Sequence, residues 1–310
     1  MNITLIGGAG FLGTNLALSL SKQNNVTIVD RNSAYFEHIQ RLNQNIRFME
    51  APFDITADFD SQVKGQDVVY HLASTVIPGN SNKNISAELE ANVIVTSKLL
   101  DACVRQEVKK IVFLSSGGAV YGKKGVCPVN EDMVTYPISS YGVQKVTIEK
   151  LLYLYRYQSG LDYRVIRLAN TYGHYQRPNG KLGVVTTFIY KALTDGRLEV
   201  YGDGSIVRDF IYVDDAVRGI NNIVNGDSDY RIFNLGSGYG TSVNEVIETI
   251  RKAINKRLKV EYIAGRTTDV PENYLDISRY ESIYGTLNAI SLEDGIIKTA
   301  KFMKDTGIVK

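Results

Sequence analysis

MNITLIGGAGFLG, residues 1–13, sets an apolar run directly against a cluster of glycines. The run NITLIG has the length and composition of a buried strand, and the residues from Phe11 onward carry apolar side chains at helical spacing. Gly8, Gly10 and Gly13 satisfy the G-x-G-x-x-G fingerprint, and Gly7, Gly10 and Gly13 satisfy the wider G-x-x-G-x-x-G spacing, with Phe11 and Leu12 inside it. Between a strand and a helix, such glycines permit a tight turn and close approach of a pyrophosphate, whose negative charge the helix N-terminus favours. A second apolar run, NVTIVD, ends in Asp30, 17 residues after Gly13, where a carboxylate accepts hydrogen bonds from adenosine ribose hydroxyls. Such a carboxylate favours NAD over NADP, and Arg31 beside it is the one feature that speaks for NADP.

Working outward, apolar bursts recur at NIRFME, DVVYHLA, KKIVFLSS and YRVIRLAN. Near-continuous apolar strands separated by amphipathic segments predict a parallel sheet covered on both faces. Residues 11–23, 85–105 and 141–158 have the three- and four-residue apolar spacing of its crossover helices. The expectation is an α/β fold with a doubly wound parallel (Rossmann) sheet over 1–168 and a smaller, interleaved substrate lobe over 169–310. In that lobe helices are expected near 182–194, 213–224, 242–254 and 291–304, with short strands near 198–201 and 230–235.

Composition narrows the partners. The 310 residues carry a net charge of +2 and no long basic run, so neither nucleic acid nor an anionic membrane surface is expected as a partner. No segment approaches the roughly 18 apolar residues of a membrane span, and no secretory leader is expected. Cys103 and Cys127 are the two cysteines, without metal-ligand spacing around them; two reduced thiols and a cytoplasmic setting are expected, with no metal site.

YGVQK, residues 141–145, puts Tyr141 and Lys145 one turn apart on a helix face. A phenol ordinarily titrates near 10, and bringing it to about 7 takes roughly 4 kcal/mol of preferential phenolate stabilisation. A neighbouring ammonium and a positively charged nicotinamide supply that.

With these motifs in place, the chain resembles the extended short-chain dehydrogenase/reductases of the NAD-dependent epimerase/dehydratase family, and among them most of all the UDP-glucose 4-epimerases. The resemblance runs through HLAS (71–74), RLANTYG (167–173), VYGDGSIVRDFIYVDDAVRGI (200–220), FNLGSGYGTSVNEVI (233–247) and GRTTDVPENYLDISR (265–279). It implies bound NAD lined by the glycine turn with Phe11 and Leu12, by Asp30, Asp54, Ile55, Leu72, Ala73, Ser74 and Asn92, and by Tyr141 and Lys145. It also implies that Arg208 and Arg266 hold the diphosphate of a UDP-sugar, that Asn170 lies beside it and that Tyr201 packs on the uracil. Asn273 falls where the family's sugar 2-substituent is accommodated, and its small size implies a pocket open to N-acetylhexosamines as well as plain hexoses. A homodimer pairing the helices of 85–105 and 141–158 is the implied assembly; the second of these carries more apolar and aromatic surface than a sheet-facing stripe needs.

FLSSGGAVYG, residues 113–122, departs from the family pattern. The family's catalytic serine or threonine aligns with Gly117, which has no hydroxyl. Some relatives carry the hydroxyl just before a glycine pair, which points to Ser116, because two glycines can re-aim their neighbour. Ser115 is the competitor if the strand stays regular, and a water is the third source. The acidic pair that dehydratases of the family use is replaced here by Gly118 and Ala119. The activity implied is therefore NAD-dependent epimerisation at C4 of a UDP-hexose or UDP-N-acetylhexosamine through a transient 4-keto sugar, with Ser116, Tyr141 and Lys145 catalytic. A nucleotide-sugar reductase or single-step dehydrogenase would use the same residues, and a non-catalytic NAD(P)-binding sensor is the reading that Gly117 alone favours.

Overall fold

The protein is described from a computed structural model over residues 1–77, 79–123, 126–178, 183–265 and 270–309. Six apolar runs form strands β1 (Asn2–Ile6), β2 (Asn25–Asp30), β3 (Arg47–Glu50), β4 (Val68–His71), β5 (Lys110–Ser116) and β6 (Asp162–Leu168). Between them lie α1 (Phe11–Leu20), α2 (Phe36–Leu42), α3 (Phe59–Val63), α4 (Ile85–Leu89), α5 (Val95–Arg105) and α6 (Ser140–Ser159). Residues Glu90–Ile94 form a wide π turn joining α4 to α5, so the segment 85–105 is helical throughout but not of one pitch. Shorter elements follow: β7 (Asn170–Tyr172), α7 (Val184–Leu193), β8 (Arg197–Tyr201), β9 (Val207–Arg208), β10 (Phe210–Tyr212), α8 (Val213–Asn225), β11 (Ile232–Leu235), β12 (Thr241–Ser242), α9 (Val243–Ile254), β13 (Lys259–Ile263), β14 (Glu272–Asn273), α10 (Ser278–Tyr284) and α11 (Leu292–Asp305).

The chain divides into two compact units, and it crosses between them more than once. The first comprises Met1–Val120, Pro137–Arg167 and Ile223–Phe233. Its sheet has seven strands in the order β11-β6-β5-β4-β1-β2-β3, and β1 lies parallel to both β2 and β4, with Ile3 opposite Val26 on one side and Val68 on the other. This is a Rossmann-type α/β sheet. Strand order reverses at β1, and the crevice beyond the carboxyl ends of β1 and β4 is where such sheets receive ligands. Strand β11, expected from the sequence in the smaller lobe, supplies the edge next to β6, where Val165 N donates to Arg231 O at 2.8 Å. Only four residues long, it gains a place in the sheet from pairing with β6 and not from any periodicity of its own.

Buried side chains from one face of the sheet and from the helices packed on it form a core cluster of this unit, among them Ile6, Val69, Leu99, Ile111, Phe113 and Leu152. Each such burial contributes about 1.5–3 kcal/mol. Helix α6 begins where Ser139 accepts from Gly142 N and ends at Gly160, whose φ of 77° suits a residue without a side chain. Ile148 and Leu152 face the core, whereas Tyr153 and Tyr157 are 62% and 81% exposed.

The second unit comprises Tyr121–Tyr136, Leu168–Asn222 and Asn234–Lys310. The stretch 121–136 joins it through Asn234, which accepts from the Tyr121 hydroxyl at 2.6 Å and donates to Val129 O at 2.8 Å. Its small sheets pair β10 with β7, β13 with β8, and β12 and β14 with β9. Helices α7, α9 and α11 pack on one another, and α9 opens with a reciprocal cap between Ser242 and Glu245.

Candidate active site

In the first unit, the glycines after β1 have distinct duties. Gly7 has φ 78°, and a Cβ there would sit 2.6 Å from Ala73 Cα, so this glycine lets the β1 and β4 loops meet. At Gly13, inside α1, a side chain would collide with the Gly8 carbonyl. Gly10 is different: its backbone is extended, with φ −79° and ψ −177°, and the nearest atom to a Cβ at this position would be Gly7 O at 3.9 Å. Nothing among the described residues requires a glycine at position 10, so the space it leaves open at the N-terminus of α1 suits an approaching phosphate. Phe11 and Leu12 form the first two residues of that helix.

A cavity of about 280 Å³ continues from this turn, and Gly7, Gly10, Asp30, Leu72, Ala73 and Ser74 line it. Asp30 Oδ2 accepts from Ala9 N at 3.0 Å, which fixes the carboxylate while an ionised group retains capacity for further donors. Arg31 also lines the cavity. Tyr35, Phe53 and Thr75 line it too, and no sequence motif marks them. Asp54 and Ile55 follow Phe53: Asp54 Oδ1 accepts from Thr56 Oγ1 and N at 2.7 and 2.8 Å, which lowers its pKa, and Ile55 is 41% exposed with its carbonyl bound by Lys98 Nζ. Asn92, in the π turn, is buried; its amide accepts from Thr75 N and donates to Thr75 Oγ1, at 2.8 and 2.7 Å. It therefore bears on the cavity through the Thr75 loop. The residues present fit a dinucleotide: an open glycine at a helix N-terminus, a carboxylate at the end of β2, and a cavity between the β1, β2 and β4 loops.

The end of β5 turns sharply, with Ala119 N and Val120 N both directed at Ser116 O. Gly142 lets α6 start against this turn, since a Cβ there would lie 2.6 Å from Ala119 O. The turn brings the Ser116 side chain close enough to the Tyr141 phenol to lower its pKa. Ser115 points elsewhere, its hydroxyl donating to the buried Glu149 Oε1 at 2.5 Å. Gly118, where a dehydratase acid would stand, opens on empty space. Lys145 is buried, donates to Leu114 O at 2.8 Å, and lies 4.5 Å from the Phe113 ring centroid and 5.5 Å from that of Tyr141.

Burial pushes the Tyr141 phenol up to about 12, against the Ser116 side chain, which lowers it. Burial also brings Lys145 down to about 8, with the Glu149 carboxylate opposing. The pair is therefore a protonated phenol beside an amine that still holds its proton near neutrality. Additional positive charge at the cavity stabilises the phenolate and lowers the cost of removing the phenol's proton. Glu149 belongs to no motif in the sequence, although it lies on the same helical face one turn beyond Lys145.

In the second unit, β9 and β14 run parallel with Asn273 opposite Arg208. Asn273 is 4% exposed, and Arg208 donates to Val270 O at 2.7 Å. Asn170 Nδ2 donates to Asp209 O at 3.1 Å, and Tyr201 ends β8 with 41% exposure. Asp209, not marked from sequence, is buried and accepts from Ser237 N and Oγ, both at 2.7 Å. Arg266 lies outside the described residues. No cluster of three or more candidate metal-ligating side chains occurs among the described residues.

A glycine turn beneath a helix N-terminus, a carboxylate ending β2, and a tyrosine–lysine helix beside a serine define the short-chain dehydrogenase/reductase class of dinucleotide sites. Within it, the chain belongs to the NAD dependent epimerase/dehydratase family, whose model matches residues 3–236. It is 34% identical over 304 residues to a putative UDP-glucose 4-epimerase of Methanocaldococcus jannaschii, covering 98% of each chain. The crystal structure of UDP-glucose 4-epimerase from Thermotoga maritima with UDP-glucose superposes with a TM-score of 0.92 at 32% identity, covering 99% of each chain. UDP-N-acetylglucosamine 4-epimerase from Methanobrevibacter ruminantium, in complex with UDP-N-acetylmuramic acid, gives 0.88 at 28% identity, covering 98% of each chain.

Proposed function

We propose that the protein is an NAD-dependent 4-epimerase of UDP-sugars, acting on UDP-hexoses and UDP-N-acetylhexosamines through a transient 4-keto sugar. The observation that carries this reading is the Tyr141–Lys145 pair on one helix face, with the ammonium 5.5 Å from the phenol ring centroid and Ser116 acting on the phenol. Tyr141 takes the proton of the sugar's 4-hydroxyl and later returns it; Ser116 holds that oxygen and the phenol in line; Lys145 keeps the phenolate accessible by its charge. NAD, when bound, supplies the acceptor and donor of the C4 hydride. Asp30 would hold its adenosine ribose, the open face at Gly10 its pyrophosphate, and Phe11, Leu12, Leu72, Ala73 and Ser74 the surrounding walls. Gly118 and Ala119 offer no acid for elimination of water, which favours epimerisation over dehydration.

Asn170, Tyr201, Arg208 and Arg266 are the residues proposed to hold the UDP moiety, since planar guanidinium groups match phosphate oxygens. Asn273 is proposed to face the sugar's 2-substituent, and the Methanobrevibacter relative, solved with a 2-acetamido sugar nucleotide, supports that range. The exposed Tyr153, Leu154 and Tyr157 of α6 support a homodimer through α5 and α6, and sedimentation at micromolar concentration giving a single-chain mass would exclude it. None of the helices among the described residues is long and apolar enough to cross a membrane. Two free cysteines, one of them buried, suit the reducing cytoplasm that is proposed as its location.

The direct test is incubation of the purified protein with UDP-glucose and with UDP-N-acetylglucosamine, with chromatography of the products. Each should be converted into its C4 epimer without net consumption of NAD, and Tyr141→Phe should lower turnover at least about a hundredfold with NAD binding retained. Failure to interconvert any C4 pair, or stoichiometric cofactor consumption, would reject the epimerase reading.

A further inference from the structure

Three residues of α6, each one turn apart, engage the last three residues of β5. Tyr141 meets the Ser116 hydroxyl, Lys145 donates to Leu114 O, and Glu149 accepts from Ser115 Oγ. Glu149 continues to β6, where Arg167 binds it in two places, Nη2 to Oε2 at 2.7 Å and Nε to Oε1 at 3.2 Å. Glu149 and Arg167 are 3% and 4% exposed. From the helix start inward, the column reads phenol, ammonium, carboxylate, guanidinium.

We propose that Glu149, held by Arg167 and Ser115, is a positioning residue that sets the charge on Lys145 and thereby the pH range in which Tyr141 exchanges its proton. The inference rests on the reading of Tyr141 and Lys145 as the catalytic pair. A buried carboxylate one turn below the ammonium favours its charged form, and a guanidinium locked to that carboxylate limits how far. Among the described residues, the other groups facing Lys145 are neutral or weakly polar: the Leu114 carbonyl and Phe113 ring on β5, the Tyr141 phenol on α6, and on β4 the His71 imidazole, held neutral by burial. Glu149 and Arg167 are thus the fixed charges of the column, and they act with opposite sign. The Ser115 bond adds geometry, because it holds the end of β5 so that its neighbour Ser116 turns to Tyr141.

Glu149→Gln and Arg167→Gln test this in opposite directions. The glutamine at 149 keeps an oxygen for Ser115 or Arg167, loses the negative charge and leaves the guanidinium uncompensated. Both changes disfavour a charged Lys145 and favour a Tyr141 phenolate, so both limbs of the pH profile of kcat should slide down by about one unit, the lower end of the range for a close charge. Arg167→Gln leaves the carboxylate uncompensated, and both limbs should slide up. The Lys145 amine, followed by NMR after ¹³C reductive methylation and assigned with Lys145→Arg, should move with them. General damage lowers kcat without displacing the profile in opposite directions. Profiles unmoved in both variants, or moved the same way, overturn the proposal; if Glu149→Gln does not fold, the upward shift in Arg167→Gln decides alone. A wild-type protein that interconverts no UDP-sugar rejects the proposed function, whereas the lysine titration still decides this inference.

Discussion

Acidification should destabilise this protein through one histidine. His71 ends β4 at 2% exposure, between the rings of Phe53 and Phe113, whose centroids are each 5.2 Å away. Thr96 Oγ1 donates to Asn92 O at 2.5 Å, so at its 2.8 Å contact with His71 Nε2 it accepts, and the imidazole carries its proton on Nε2. Nδ1 is buried with no hydrogen-bond partner among the described residues. Protonating it would bury a second charge near Lys145, and burial first, then that ammonium, brings the His71 pKa from 6.5 to about 3. Because the folded value is the lower one, the unfolded chain binds the extra proton between pH 6.5 and 3, and stability falls with pH across that window. At pH 5 the unfolded histidine is almost wholly charged while the folded one is neutral, which costs about 2 kcal/mol relative to pH 7.5. Urea denaturation of the wild type and His71→Gln at pH 7.5 and 5 isolates this cost, since every other titrating group is common to both. The wild type should lose about 2 kcal/mol more than the variant on acidification; equal losses would refute a buried, neutral His71.

Three further outcomes follow from the geometry. Gly10→Val should leave the cofactor-free melting temperature nearly unchanged, since its backbone is extended and its surroundings open, yet weaken NAD binding at least about tenfold by calorimetry, as expected of a glycine kept for pyrophosphate approach; unaltered affinity would remove Gly10 from the cofactor site. Ser116→Ala should reduce turnover more than Ser115→Ala, and Ser115→Ala should instead cost about 1–3 kcal/mol in denaturant unfolding because Glu149 loses a buried donor; the reverse ranking in kcat would make Ser115 the catalytic hydroxyl. Asn273→Tyr should depress kcat/KM for UDP-N-acetylhexosamines about tenfold or more while sparing plain UDP-hexoses, and a parallel loss on both would place the sugar gate elsewhere.

What is legible in the sequence is whatever depends on local order. The six apolar strands, the glycine turn and the Tyr141–Lys145 face each lie within a few consecutive residues, where periodicity and spacing are informative. Partnerships across the chain are invisible in that way. Nothing local tells that Ser115 turns to Glu149, 34 residues on, while Ser116 turns to Tyr141. Similarly, no local pattern tells that the Asn92 amide pairs with Thr75, across 17 residues and a change of helical pitch. Strand β11 and the 121–136 stretch show the same limit at the level of architecture, because the pairing partner of a short segment decides which unit it joins.

The wide turn at Glu90–Ile94 also constrains how this gene can change length. Each residue advances an α-helix by about 100°, so a π turn holds one residue beyond what regular winding would accommodate. Deleting a single codon there would heal the helix and lose no hydrogen-bonded turn, which makes it the mildest deletion for backbone regularity anywhere between Ile85 and Arg105. The faces on either side would keep their directions, because the extra residue is held as a local bulge, but the residues within the turn would shift, parting Asn92 from either Thr75 or the Thr96–His71 side. Descendants of this sequence can therefore drift in composition through the turn, but its residue count is locked to the loop that walls the cavity.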